Sequence, residues 1–215
     1  MNKVTLVSCT GGFGEHTTLK DMVAYCARVS NPSNQHNTKT NARLIDYLVK
    51  NKHWSPFEMV NICLEIETTR DIARQILRHR SFTFQEFSQR YSNINELKDV
   101  FVTREARFQD PKNRQNSISA DHKNWEGLRT DWQRLQQEVI DKAEAVYNEA
   151  ISRGIAKEQA RAVLPEGLTK SRMYMNGSLR SWLHYIEIRT GNGTQKEHME
   201  VAEQCKKIII GLLDE

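Results

Sequence analysis

The sequence predicts an α+β fold: a small twisted, mainly antiparallel sheet with flanking helices and a helix-rich C-terminal half. Two observations predict it. Residues 60–67 alternate apolar with mostly polar side chains, the pattern of a strand with one buried face and one wetter face. Strand-like segments come early and long amphipathic segments come late, so strands and helices do not alternate as a doubly wound α/β fold requires. The chain has 215 residues, 38% hydrophobic and 27% charged, which is globular composition with length enough for one core. It reads as a single domain over 1–215.

The elements follow in order. Val4, Leu6 and Val7 make a first short strand, broken by the glycine-rich turn at Gly11, Gly12 and Gly14. That turn lacks the spacing of a nucleotide-binding loop. Leu19, Met22, Val23, Cys26 and Ala27 recur at helical spacing, with Thr17 or Thr18 as N-cap. A second helix carries Ala42, Leu44, Ile45, Leu48 and Val49, and Pro56 blocks its continuation. After the strand at 60–67, Thr68 or Thr69 caps a helix holding Ile72, Ala73, Ile76 and Leu77. Residues 104–124 are polar, contain Pro111 and show no helical stripe, so they read as a long exposed loop or insertion. Leu128, Trp132, Leu135, Val139, Ala143, Val146, Tyr147 and Ala150 form the apolar stripe of a long helix stopped at Gly154. A short helix at 157–163 ends before Pro165, another spans about 178–188, and a last one runs over about 195–213.

Charge and cysteines exclude several classes. Thirty-one Lys and Arg against 27 Asp and Glu leave +4, too little for a basic nucleic-acid tail. No apolar run is long enough to span a bilayer, and the N-terminal segment lacks the continuous apolar stretch of a signal peptide. Cys9, Cys26, Cys63 and Cys205 form no CxxC pair, so reduced thiols in a cytoplasmic protein are expected. Cys26, Cys63 and Cys205 fall on apolar elements and read as core residues, not nucleophiles. The histidines show neither HxH nor HxxxH spacing, and no metal site is expected.

Residues 70–91 carry the chemistry. Arg70, Arg74 and Arg78 fall one helical turn apart on a shared face with Gln75 beside them, and Arg78-His79-Arg80 closes the helix. Such a cluster can be a solvated face with cations at a helix C-terminus. It can also be an anion site, because guanidinium groups grip phosphate bidentately and stay charged when desolvated. The next residues favour the anion site. Glu86, Ser88 and Arg90 alternate with Phe87 and Gln89 along an expected extended stretch, flanked by Phe82, Phe84 and Tyr91. That suits a phosphorylated ligand with a flat ring. Ser88 has no base among its sequence neighbours and reads as a hydrogen-bond donor to the ligand. Glu58 is either a ligand contact or a strand cap. Trp182 and Tyr185 read as core residues.

Arg78-His79-Arg80, seven residues, Ser88, one residue, then Arg90-Tyr91 resembles the signature of the flavin-dependent thymidylate synthases. His53-Trp54-Ser55-Pro56-Phe57-Glu58 is similar to that family's upstream motif, residues 157–165 to its arginine segment, and residues 178–189 to its late substrate helix. Gln85 and His184 depart from the residue the family often carries there. The resemblance implies conversion of dUMP to dTMP, with methylenetetrahydrofolate as carbon donor, reduced FAD as hydride donor and NADPH as the reductant of the flavin. By this resemblance His53, Ser55, Arg78, His79, Arg80, Glu86, Ser178, Arg180 and His184 line FAD. Gln75, Arg78, Glu86, Phe87, Ser88, Gln89, Arg90, Arg161 and Arg189 hold dUMP, with Arg189 catalytic. It also implies a homotetramer whose sites lie between subunits. The rival reading is an RNA-binding module using the same arginine and aromatic cluster, with no RRM, KH or zinc-knuckle pattern to support it.

Overall fold

The computed structural model describes residues 2–97, 99–119 and 125–214. Strand β1 (Lys3–Cys9) is followed by α1 (Leu19–Ala27) and α2 (Asn41–Lys50). Thr18 caps α1 in a capping box: its hydroxyl accepts from the Asp21 N–H while the Asp21 carboxylate accepts from the Thr18 N–H. A 3-10 turn at Ser55–Met59 leads into β2 (Asn61–Thr69), which runs directly into α3 (Arg70–Ile76) and then β3 (Thr83–Glu86). The two-residue strands β4 (Phe108–Gln109) and β5 (Ser117–Ile118) pair with each other. Then come α4 (Trp125–Ser152), α5 (Lys157–Ala160), β6 (Lys170–Ser178), α6 (Leu179–Arg189) and α7 (Lys196–Asp214).

The main sheet has the order β1-β2-β6-β3, with every neighbour antiparallel. The register from Asn61↔Ser178 to Thr69↔Lys170 holds β2 and β6 together along their full length. Ile62, Leu64 and Ile66 on β2 and Met173 and Met175 on β6 face one buried layer with Trp182, Tyr185, Val201 and Cys205. Fully burying such a side chain stabilises the fold by about 1.5–3 kcal/mol relative to leaving it exposed. The α+β reading holds, and so does the core placement of Trp182 and Tyr185.

Four expectations are corrected. Strand β6, the neighbour of both β2 and β3, is absent from the sequence reading. Its Ser, Met and Gly residues have modest strand preference, although Ser171, Met173 and Met175 alternate with exposed Arg172, Tyr174 and Asn176. The extended stretch through Arg90 stops at Glu86, because the chain then turns and the Ser88 carbonyl accepts from the Tyr91 N–H (3.1 Å) and the Ser92 N–H (2.9 Å). The 104–124 segment is neither structureless nor wholly exposed over its described part. It holds the β4–β5 hairpin, and the side chains of Arg104 and Arg107 are largely covered where they pair with buried Glu197; residues 120–124 lie outside the described residues. In α4, Ile140, Ala143, Tyr147 and Gln136 are buried, while Leu128, Trp132, Leu135 and Val139 are exposed. The helix is oriented by Tyr147, which packs with Ile94, Ala160 and Leu164, and by the Gln136 amide, which clasps the Arg104 backbone at 2.7 and 3.0 Å.

Gly177 sits on β6 where a Cβ would run into the ring of Phe82, itself packed edge-on to Trp182 at 4.8 Å. Gly177→Ala is therefore expected to cost about 1–3 kcal/mol of unfolding free energy in urea titration. An unchanged midpoint would show that Phe82 moves freely.

Candidate active site

Two helices start at opposite ends of the β2–β6 pair and meet at their C-terminal ends. Beyond α3 the chain bends, with the His79 N–H donating to the Ile76 carbonyl (3.0 Å) and the Phe82 N–H to that of His79 (3.3 Å). Phe82 enters the core, leaving Arg78 and Arg80 exposed and His79 half-buried. The His79 ring stands edge-on to Tyr185 at 4.9 Å. From the end of α6, Arg189 donates its Nε–H to His79 Nε2 at 2.9 Å. A guanidinium only donates, so His79 Nε2 must carry a lone pair and the neutral ring holds its proton on Nδ1. Burial, then the charge of Arg189, then His184 push the His79 pKa down to about 4.

A cavity of about 520 Å³ opens beside this contact, lined by Arg78, His79, Arg80, Arg180, His184 and Trp54 among others. The start of α6 is fixed by Ser178, whose hydroxyl accepts from the Ser181 N–H and donates to Glu58. Glu58 also accepts from Arg180 at 3.0 Å, so it ties the 55–59 turn to the mouth of the cavity. His53 and Ser55 flank Trp54 but are exposed and do not line the cavity; His53 stands edge-on to Tyr47 at 5.8 Å. Ile188 is exposed, so its neighbour Arg189 is placed by the contact with His79. A larger groove, about 660 Å³ along α4, is lined mainly by Trp132, Leu135, Val139 and Val146 and gathers none of the predicted groups.

The remaining predicted residues form other groups. Glu86 accepts from Ser171 (2.6 Å) and Arg70 (3.4 Å), and Phe87 lines a cleft of about 530 Å³ with Lys170 and Arg172. Ser88 is exposed with no hydroxyl partner or base among the described residues. Arg90 reaches Glu158 on α5 at 3.5 Å, which brings the 88–91 turn to the segment carrying Arg161. Gln89 is buried, and its side-chain nitrogen has no partner among the described residues. Gln75 is tied to Gln195, just before α7, and to His198 on α7. One chain therefore sets out an arginine cavity at 78–80 and 180–189 and a separate turn at 86–91 beside 158–161. Gln195, His198 and the Glu58 bridge were missed; Gln195 and His198 were visible only as polar interruptions of the α7 pattern.

Cationic side chains elsewhere are largely satisfied: Arg74 by Glu166, Arg104 by Asp71 and Glu197. Arg78, Arg80, Arg161 and Arg189 have no carboxylate partner among the described residues, and such a surplus is what an anionic ligand completes. Burial raises the Cys26, Cys63 and Cys205 thiols above their usual range, which keeps them protonated and poor nucleophiles. Among the described residues no three His, Cys, Asp or Glu side chains gather as a metal site, and no helix is long and apolar enough to cross a membrane.

An antiparallel α+β sheet feeding two helices into an arginine-lined cavity defines a class, and comparison with known proteins gives it a family. Residues 14–213 match the family model described as thymidylate synthase complementing protein. The flavin-dependent thymidylate synthase of Synechocystis is 46% identical over 200 residues, covering 92% of this chain and 87% of that protein. The "Probable flavin-dependent thymidylate synthase" of Paramecium bursaria Chlorella virus 1 is 48% identical over 196 residues, covering 90% and 86%. A UMP/dUMP methylase from Streptomyces cacaoi, solved bound with 5-Br dUMP, superposes with a TM-score of 0.81 at 26% identity, covering 99% of this chain and 91% of that one. The chain belongs to the flavin-dependent thymidylate synthase family.

His79 titrates near 4 in the folded chain against 6.5 when unfolded, so between those values the unfolded state takes up the proton first. Stability in urea is therefore expected to fall as the pH drops from 6.5 towards 4, and His79→Asn should flatten that decline. A variant that keeps the full slope would show that His79 is not held neutral.

Proposed function

We propose that this chain methylates dUMP to dTMP, taking the carbon from methylenetetrahydrofolate and the hydride from FAD reduced by NADPH. The observation that carries the reading is the Arg189–His79 contact beside a cavity lined by Arg78 and Arg80, which have no carboxylate partner among the described residues. The donor set fits a dinucleotide: guanidinium groups for a pyrophosphate, Ser81 and Ser181 for hydrogen bonds, and Trp54 as an aromatic wall. Arg78, His79, Arg80, Arg180 and His184 would hold FAD there, with Ser178 positioning Arg180 through Glu58. When bound and reduced, FAD supplies the hydride, and the protein contributes orientation and field.

The chain's own residues divide the remaining work. Arg90 and Arg161 meet the dUMP phosphate, and Ser88 donates to phosphate or ribose. Gln89, buried with an amide nitrogen that has no partner among the described residues, is available to the same nucleotide. Arg189 uses only its Nε–H on His79, which leaves its terminal nitrogens for negative charge developing at N3 and O2 of the uracil as C5 becomes nucleophilic. A donor placed where charge develops is worth about 3–4 kcal/mol. Because the cavity and the 86–91 turn are separate within one chain, we place a complete site between subunits of a homotetramer. The Chlorella virus and Synechocystis relatives support the flavin, and the bound 5-Br dUMP of the Streptomyces cacaoi methylase supports the nucleotide.

The direct test supplies the purified protein with FAD, NADPH, methylenetetrahydrofolate and dUMP and measures dTMP; none formed by a folded, flavin-loaded protein overturns the reading. Arg189→Ala should lower turnover at least 100-fold while flavin absorbance is retained, in line with the loss of one such donor; normal turnover refutes its role. Ser88→Ala should weaken dUMP binding and keep measurable turnover. Abolished turnover with unchanged binding would make Ser88 a nucleophile.

A further inference from the structure

A chain of side-chain hydrogen bonds runs from a buried ion pair at the start of α7 to Gln75. Glu197 is 4% exposed and meets Arg104 at 2.9 Å and Arg107 through its other oxygen. Burial pushes its carboxyl upward, but the bonds from Arg107 and the charge of Arg104 outweigh that and hold it below the usual range. It is therefore an acceptor only. Gln195 Nε2 donates to Glu197 at 3.0 Å, and Gln75 Nε2 donates to Gln195 Oε1 at 2.8 Å. His198, fully buried, places Nδ1 3.1 Å from Gln75 Oε1 and Nε2 3.1 Å from the Tyr185 hydroxyl.

The charged end sets the polarity of every link. A carboxylate accepts, so Gln195 must present its nitrogen to it and its oxygen to Gln75. Gln75 then presents its oxygen to His198, whose Nδ1 must carry the proton. His198 Nε2 is left as a lone pair, which the buried Tyr185 phenol fills by donating. Amide orientation and imidazole tautomer are otherwise free choices; here neither is. We propose that Glu197, Gln195 and His198 are positioning residues that lock the Gln75 amide in one orientation, so that its remaining N–H and carbonyl lone pair meet the uracil nucleotide as a fixed donor and acceptor. This rests on the proposed dUMP function together with the family resemblance, which assigns Gln75 to dUMP. The relay also gives a role to Arg104 and Arg107, whose largely covered side chains anchor its charged end.

The test is a double-mutant cycle on dUMP affinity of the flavin-loaded protein, with nitrogen-15 NMR of the His198 ring beside it. Gln75→Leu and Gln195→Leu are each expected to weaken dUMP about tenfold, and the double variant to be no weaker than Gln75→Leu alone. His198 is expected to show a protonated Nδ1 and an unprotonated Nε2. Gln75→Leu weakening dUMP while Gln195→Leu leaves it unchanged, or the two effects multiplying, overturns the relay and spares the role of Gln75. Unchanged affinity in Gln75→Leu overturns both. If Gln195→Leu does not fold, the tautomer in the native protein decides: a proton on His198 Nε2 contradicts the relay.

Discussion

A guanidinium resting on an uncharged imidazole is the constraint on which the rest of this structure depends. Arg189 can donate to His79 only while that ring stays neutral, and partial burial against Tyr185, then the charge of Arg189, favours the neutral form. His198 is subject to the same rule, with burial, Arg189 and His79 pushing it to about 3. The sheet makes the arrangement possible. β2 and β6 are antiparallel in full register and each runs straight into a helix, so α3 and α6 leave opposite ends and converge. Helix C-termini favour cations, and Arg189 sits in the last turn of α6.

The distribution of paired and unpaired charge then separates scaffold from site. Arg70, Arg74, Arg104 and Arg107 are satisfied by Glu86, Glu166, Asp71 and Glu197, and they stitch the 104–107 and 166–171 segments to the sheet and helices. Truncating Arg104 or Arg107 would leave the buried Glu197 carboxylate short of a partner, at a cost of about 3–5 kcal/mol, whereas the exposed Arg74–Glu166 pair contributes far less. Arg78, Arg80 and Arg161 have no such partner among the described residues. On the proposed reading, nucleotide and dinucleotide phosphates would complete them. The net charge of +4 conceals this division, since it sums both kinds of arginine.

Much of this was legible in the sequence, and what was not has physical causes. The alternation at 60–67, a threonine cap at 17 or 18 and the arginine run at 70–90 are local patterns, and local patterns survive without coordinates. Strand β6 hid behind serine, methionine and glycine, whose place in a strand is decided by the neighbours they pack against. Arg104 and Arg107 looked like solvated loop residues because their partner, Glu197, lies some ninety positions away. The relay through Gln195 joins residues 120 positions apart, a link that no spacing rule encodes. Glu58, undecided from its motif alone, gained its role from Ser178 and Arg180 across the fold.

The most direct measurement is anaerobic mixing of the reduced, flavin-loaded protein with dUMP and methylenetetrahydrofolate, with flavin absorbance followed in time. The account predicts that the flavin reoxidises only when both compounds are present, with dTMP formed in equal amount. Reoxidation indifferent to dUMP, or a flavin that stays reduced in the presence of both, would contradict it.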